Sequence, residues 1–546
     1  MQKRLLLAIV LSFIIIFLWQ ALFMKQEPQK EVQPEEIPEL EKQPQKEPIQ
    51  KAIIPSPEGS EQKAFNPISE IYPKQIIVDT SLYQAIWNNK GALLRSWKLK
   101  KHKNDNEEYL EIISSLSEDT DKYPFLIYSD DPSFNTYVNS SLFSASKTKL
   151  ILKRGESKEL RFQFADERGN KVEKIFNFTD GKYEVDIQIN VWKNGQKIEP
   201  TILWGPSICN PSPKAQKQRY GGTKGIAVYS ANKVFRQNEK KFKPSKSTFN
   251  FVDWAAYETN YFTALFITSP EKTSAAFIRE EKNKIPYFYL SISYPKKVYI
   301  GPKSIDFLNE VGYESKKIIN FGFFGFVAEI LLVAMKYIHS CIPNWGFCII
   351  IMTFIIKILV FPLTYKSTLS MAKMQGIQPK IKALRTKYKK AKQDMQQRKK
   401  MNEEMMKLYK EHGINPAGGC LPLLIQLPIF WGFFRLLVVS VEFRQSPFIF
   451  WLKDLSLKDP LYITPILMGI TQFISQKMTP TGAEPAQQKM MLIMPFIMTI
   501  LLMNFQSGLV LYWLTNNVLQ IGQQYIINNL MKKKKRETHG KKRRKK

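Results

Sequence analysis

The sequence predicts a polytopic α-helical membrane protein with six transmembrane helices, five of them forming a core, and a large antiparallel β-sandwich domain inserted after the first. Three observations predict this. Six apolar stretches are about as long as a membrane span. Between the first and second of them the hydrophobic pattern changes to period two. The net charge of +32 over 546 residues is concentrated in two blocks. Lys366 to His412 has fourteen Lys/Arg against four Asp/Glu, and Met531 to Lys546 has eleven against one; together they give +20.

Residues 1–24 read as an anchor. MQKR is followed by twenty apolar residues, Leu5 to Met24, enough to span a bilayer. A cleaved signal peptide has a shorter apolar region, and no small-x-small site precedes Lys25. Lys3 and Arg4 hold this end in the cytoplasm. Residues 25–72 are rich in Pro, Glu, Gln and Lys and nearly lack aromatics, the composition of a disordered spacer.

Residues 73–312 read as the β domain. Tyr183, Val185, Ile187, Ile189 and Val191 share one face, with Glu184, Asp186, Gln188 and Asn190 on the other. Asn194-Gly195 then offers a hairpin turn. Leu160 to Asp166 alternates as well, as do parts of Tyr287 to Tyr294, and Val298 to Ile300 is β-prone. QAIWNNKGALLRSWKL reads as strand, turn, strand. No nucleophile elbow, phosphate loop or acid pair at helical spacing occurs here, so the domain reads as a scaffold. Cys209, Cys341, Cys348 and Cys420 form no CxxC, and His102, His339, His412 and His539 are scattered. A disulfide framework, a metal site and redox chemistry are therefore poor readings, and no cofactor is expected.

Residues 313–346 hold an apolar stretch interrupted by Glu329, Lys336 and His339, with Pro343 and Asn344 behind it. It reads as a helix lying in the membrane interface. The competing reading, another span, would reverse every later orientation. The remaining spans are 347–364, 421–441, 461–475, 491–505 and 509–526. Residues 365–420 between them read as a basic helical hairpin and 531–546 as a basic tail. Met371, Met374, Ile381, Leu384 and Tyr388 mark one apolar stripe of the hairpin; Met401, Met405 and Leu408 mark the other. With the N-terminus inside, both basic blocks fall in the cytoplasm, in agreement with the positive-inside rule. The spans 461–475 and 491–505 are short, about 22 Å against a core of about 30 Å.

Polar residues in these spans are patterned. Lys357 lies near the middle of the second span, where a lysine costs roughly 2.5–3.5 kcal/mol on insertion scales. Thr353 and Thr364 share its face. In the last span Trp513, Asn517, Gln520 and Gln524 fall on one face, flanked by Tyr512 and Asn516, and Gln426 and Gln472 add amides from two other spans. Isolated polar ties between helices are one reading. A lysine with a row of amides fits a water-containing groove better. Arg435, six residues from Val441, can snorkel to the outer surface.

The stretches NWGFCIIIMTFIIKILVFPLT, MAKMQGIQPKIKALR, INPAGGCLPLLIQLPIFWGFF, DPLYITPILMGITQF and SGLVLYWLTNNVLQIGQQ, in this order, resemble the YidC/Oxa/Alb insertases. The anchor, spacer and β domain resemble the Gram-negative long form. The resemblance implies a non-enzymatic membrane insertase and chaperone of the bacterial inner membrane. It implies cytoplasmic termini, a periplasmic domain of β-supersandwich type, and five core helices around a hydrophilic groove open to the cytoplasm. Lys357 matches the groove cation, and Thr353, Gln426, Gln472 and Trp513 match further groove positions, with Tyr512 adjacent; Asn517 and Gln520 extend the set by their place on the amide face. The implied partners are nascent membrane proteins, the Sec translocon, the ribosome through tail and hairpin, anionic lipids, and the signal recognition particle with its receptor. Two departures are visible: the family's groove cation is typically Arg, and Lys357 keeps the charge but not the planar fork; and the basic tail, KKKKRETHGKKRRKK, is longer than the core function requires. The rival classes are a secondary transporter, for which no internal repeat is seen, and an anchored periplasmic carbohydrate-active enzyme.

Overall fold

The structure, a computed structural model, describes residues 67–199, 201–209, 224–268, 273–388, 394–414, 421–480 and 485–543, with backbone alone for 421–423, 485–487 and 534–543. The expected anchor and the spacer up to residue 66 lie outside the described residues.

The β domain forms three sheets of five, ten and five strands. Pairing is antiparallel except that Gln75–Asp79 runs parallel to Lys149–Ile151. Glu184–Lys193 buries Val185, Ile187 and Val191, as its alternation predicts. It turns through Asn194 and Gly195, both at positive φ (51° and 79°), into Gln196–Ile198. Two left-handed residues in a row are what a type I′ hairpin needs, and Asn-Gly accepts them at low cost. The expected strand pair is present as Tyr83–Asn88 and Leu93–Lys103.

Other strands carry no alternation. Gly225–Ser230 and Phe262–Thr268 are buried at every residue, and Val252–Glu258 at all but Asp253. They occupy the interior of the ten-stranded sheet, covered on both faces, so most side chains of both sets are apolar or small; the exception, buried Glu258, pairs with Arg236 and Lys303. Trp87 marks the core: its ring lies 4.4 Å from that of Phe176, 5.2 Å from Phe125 and 5.9 Å from Phe162.

Among the described residues the longer helices follow three short ones, α1 (Leu116–Thr120), α2 (Pro132–Ser140) and α3 (Ile305–Val311). The longer ones are α4 (Gly325–Cys341), α5 (Trp345–Gly376), α6 (Gln378–Lys387), α7 (Met395–Glu411), α8 (Leu421–Val439), α9 (Ile463–Met478), α10 (Pro485–Leu502) and α11 (Ser507–Arg543). Only α5 among the described residues is long and apolar enough to cross a membrane; Leu424–Val439 and Gln488–Leu502 are shorter apolar helices.

Several boundaries differ from the sequence reading. α5 runs twelve residues past Thr364 because Tyr365 to Gln375 contains no proline or glycine; a change from apolar to polar does not end a helix. α11 likewise continues from the expected span 509–526 into the basic tail. α9 starts at Ile463 rather than Leu461, since the buried carboxylate of Asp459 accepts from the Leu461 N–H (2.9 Å) and the Thr464 N–H (2.7 Å). α10 starts at Pro485 and stops at Leu502, short of the expected Phe505.

α4 buries Ala328, Leu331, Leu332 and Met335, a single stripe, and exposes Phe326, Ile330, Val333 and Tyr337. Val327 and Leu331 lie against Gly432 of α8, where a Cβ would meet the valine at 2.8 Å. Arg435 of α8 donates to the Asn320 carbonyl at the entry to α4. Lys336 of α4 bridges Asp306 of α3 (2.9 Å) and Glu442 (3.0 Å). Arg444 donates to the Lys103 carbonyl (2.7 Å), a second tie between the β domain and the loop after α8.

The basic hairpin falls in a compact unit that also includes Pro480–Leu492. Its small core is Ile377, Ile381 and Ile414, with Met374, Met405, Leu408 and Tyr409 around it. Of the expected stripes, Met374, Ile381, Met405 and Leu408 take part.

Candidate functional site: a polar seam between the helices

The helices turn the usual distribution inside out. Buried positions include Thr353 (1% exposed), Asn516, Asn517, Gln523 and Gln524, whereas Leu359 is 73% and Ile500 69% exposed. Exposed Ile466, Ile470 and Ile474 form the outer stripe of α9. A water-facing surface of this kind would aggregate; against lipid it is the low-energy arrangement.

α5 carries Lys357 to α11, where its Nζ donates to Gln520 Oε1 at 2.8 Å. This bond joins residues 163 apart in sequence. Among the described residues no carboxylate pairs with Lys357. Thr353, one turn earlier, is buried and donates to the Ile349 carbonyl of its own helix at 2.6 Å. One turn beyond Gln520, Gln524 donates to Asn528 at 2.9 Å, and Asn528 points toward the Met478 carbonyl of α9 at 3.5 Å.

The other predicted residues meet in pairs. Trp513 Nε1 donates to Gln472 Oε1 at 3.0 Å, tying α11 to α9. Asn517 Nδ2 donates to the Met468 carbonyl of α9 at 3.1 Å. The Tyr512 hydroxyl is hydrogen-bonded with the Gln426 side chain of α8. Aromatic rings close the seam: Phe433 stacks on Tyr512 at 4.3 Å, and Phe430 meets Trp513 edge-on at 4.9 Å. Sequence reasoning missed Phe430, Phe433, Gln523 and Asn528. The i+4 step from Gln524 to Asn528 could have found the last; the aromatics look like any apolar span residue.

The Gln524 Oε1 and Gln523 Nε2 atoms are buried without a hydrogen-bond partner among the described residues. Unpaired buried amides are costly, about 1–3 kcal/mol each, and are commonly answered by water. The seam therefore offers one cation, amide oxygens and amide donors, and aromatic edges. These groups suit solvation and charge attraction.

Comparison with known proteins bears on this seam directly. A family described as 60Kd inner membrane protein matches residues 337–535, and one described as YidC periplasmic domain matches residues 75–334. The Membrane protein insertase YidC of Syntrophus aciditrophicus is 36% identical over 97% of this chain and 99% of its own. This chain belongs to the YidC membrane protein insertase family. The YidC of Geobacter sulfurreducens is 34% identical over 97% of this chain and 98% of its own. The crystal structure of an active YidC insertase with its first transmembrane domain resolved covers 85% of this chain and 95% of its own, with 19% identity and a TM-score of 0.37. The matched stretch 337–535 contains every residue of the seam, and the YidC resemblance read from the motifs extends over 97% of the chain.

Proposed function

We propose that this chain inserts nascent membrane proteins and helps them fold, with the seam around Lys357 as the wall of a hydrophilic groove open to the cytoplasm. The observation that carries the reading is Lys357 itself: a cation on a helix long and apolar enough to cross a membrane, held by a neutral amide of α11. Moving a polar flank across hydrocarbon is the costly part of inserting a helix. Amides and water in a half-channel shorten the unsolvated path, and a cation attracts acidic flanks. Burial of the substrate's own apolar helix supplies the driving force, about 25 cal/mol per Å² of apolar area, without a covalent step.

In this reading Thr353, Gln426, Gln472, Tyr512, Trp513, Asn517 and Gln520 line the groove with Lys357. Residues 1–24, α5, α8, α9, α10 and the apolar part of α11 make six spans. α4 lies in the interface, its outer face of Phe326, Ile330 and Tyr337 toward lipid. Both termini and the basic hairpin are cytoplasmic and the β domain periplasmic, the arrangement that places both basic blocks inside. The blocks suit ribosomal RNA and anionic lipid. The Sec translocon, the signal recognition particle and its receptor complete the proposed partners.

The test is Lys357→Ala in proteoliposomes. Insertion of substrates with acidic translocated flanks is expected to fall about tenfold, the scale of one lost charge-assisted contact, while neutral flanks change little. Equal insertion of both would remove Lys357 from the mechanism.

A further inference from the structure

We propose that Gln520 is a positioning residue that holds the groove cation without neutralising it, and so sets the preference for acidic over neutral substrate flanks. This rests on the insertase reading of the seam and adds the role of the second partner.

Three cations set into this chain are answered differently: Lys303 and Lys174 are buried, and Lys357 is half-buried. Lys303 is answered by a carboxylate: its Nζ lies 2.8 Å from Glu258, which also pairs with Arg236. Lys174, fully buried in the β domain, is answered by carbonyls: Nζ donates to Gly91 (2.7 Å), Phe125 (2.8 Å) and Ala92 (3.3 Å). Both are finished structural sites. In the first the ammonium is paired with a carboxylate that it shares with Arg236, and in the second all three ammonium donors are used.

Lys357 fits neither pattern. Among the described residues it has one hydrogen-bond partner, the neutral Oε1 of Gln520. That bond fixes the direction of a flexible side chain and leaves two donors and the full charge for something else. An acceptor from outside the chain would complete the set, and a carboxylate would do so best, because it supplies both acceptors and the opposite charge. A glutamate at position 520 would have the same length and would hold Lys357 equally well, but it would close the site as Glu258 closes Lys303. The amide in place of the acid is thus the feature that keeps the cation open to substrate.

Gln520→Glu and Gln520→Met separate orientation from charge. Full-length protein is reconstituted, and insertion is measured for matched substrates whose translocated flanks are acidic, neutral or basic. Q520E is expected to lower the acidic-to-neutral ratio about tenfold, as Lys357→Ala does, and to raise insertion of the basic flank. Q520M, which loses the acceptor and adds no charge, is expected to lower the ratio by only about two- to threefold, because the ammonium keeps its charge and loses its direction, and to leave neutral flanks nearly unchanged. A wild-type ratio in Q520E, or a Q520M ratio as low as that of Lys357→Ala, overturns the proposal. Should Q520E not reach the membrane, Q520M alone decides: a partial, selective loss of the acidic flank supports the idea, and a wild-type ratio, or one as low as that of Lys357→Ala, sinks it. The two readings fail differently. If Lys357→Ala itself is unselective, the groove cation falls; if Lys357→Ala is selective and Q520E is not, only the role of Gln520 falls.

Discussion

The β domain and the helices of this chain are built from similar residues under opposite rules. In the β domain Trp87, Trp97 and Trp254 are at most 1% exposed, and along Glu184–Lys193 the polar Asp186 and Gln188 face outward. In the helices Asn517 is 3% and Gln524 0% exposed, while Phe496 is 62% and Leu359 73% exposed. One region is sorted by water and the other by lipid. Apolar burial stabilises the first, since it removes area from water. It does little for the second, whose outer face already meets an apolar medium, so polar ties and packing decide which helices touch.

That contrast makes graded predictions. The largest effect belongs to the β core. Trp87→Ala should cost the β domain about 3–5 kcal/mol, read as a lower midpoint of its thermal unfolding in the full-length protein. Substrate insertion should persist, because the seam lies elsewhere; a parallel loss of insertion would show that the two regions are one functional unit.

A smaller effect is expected where the regions meet. The His102 ring packs edge-on to Phe262 at 5.3 Å, and burial, with the nearby Arg444 and Lys101 charges, holds its pKa down to about 4. The unfolded chain takes up that proton at about 6.5 and the folded one near 4, so the unfolded state is favoured as pH falls between them. Stability should therefore drop by up to about 1.4 kcal/mol per pH unit from pH 6.5 to 4 and be flat above that window. His102→Phe should remove this part of the slope, checked by thermal unfolding at pH 7 and pH 5.

The smallest effect is within the lipid-sorted region. Asn517→Leu removes one buried bond between α11 and α9, and polar ties in membrane proteins average about 0.6 kcal/mol. A cost of several kcal/mol in unfolding from detergent micelles would mean that the seam is sorted like the β core after all.

What could be read in advance follows the same division. Glu184–Lys193 was legible because one face is wet, which gives the alternation. Val252–Glu258 and Phe262–Thr268 were not, because burial on both faces erases it. Among the described residues the apolar helices were legible as positions, but their ends were not. Hydropathy marks where lipid stops; backbone geometry stops α5 only at Gly376. At the site, Lys357 and the amide face of α11 stood out because polar residues are expensive in such segments. Phe430 and Phe433, which close the seam, did not, since an aromatic ring is ordinary there.

By itself, then, the sequence determined the two solvents, the family and the list of polar residues that needed a reason to be in a membrane. Those are properties of composition and period along the chain. The tertiary structure decided who meets whom: Lys357 with Gln520, Trp513 with Gln472, Asn517 with the Met468 carbonyl. The reason is geometric. Each contact joins side chains on different helices, and a one-dimensional pattern gives the face of a helix but not the neighbour that face is turned toward.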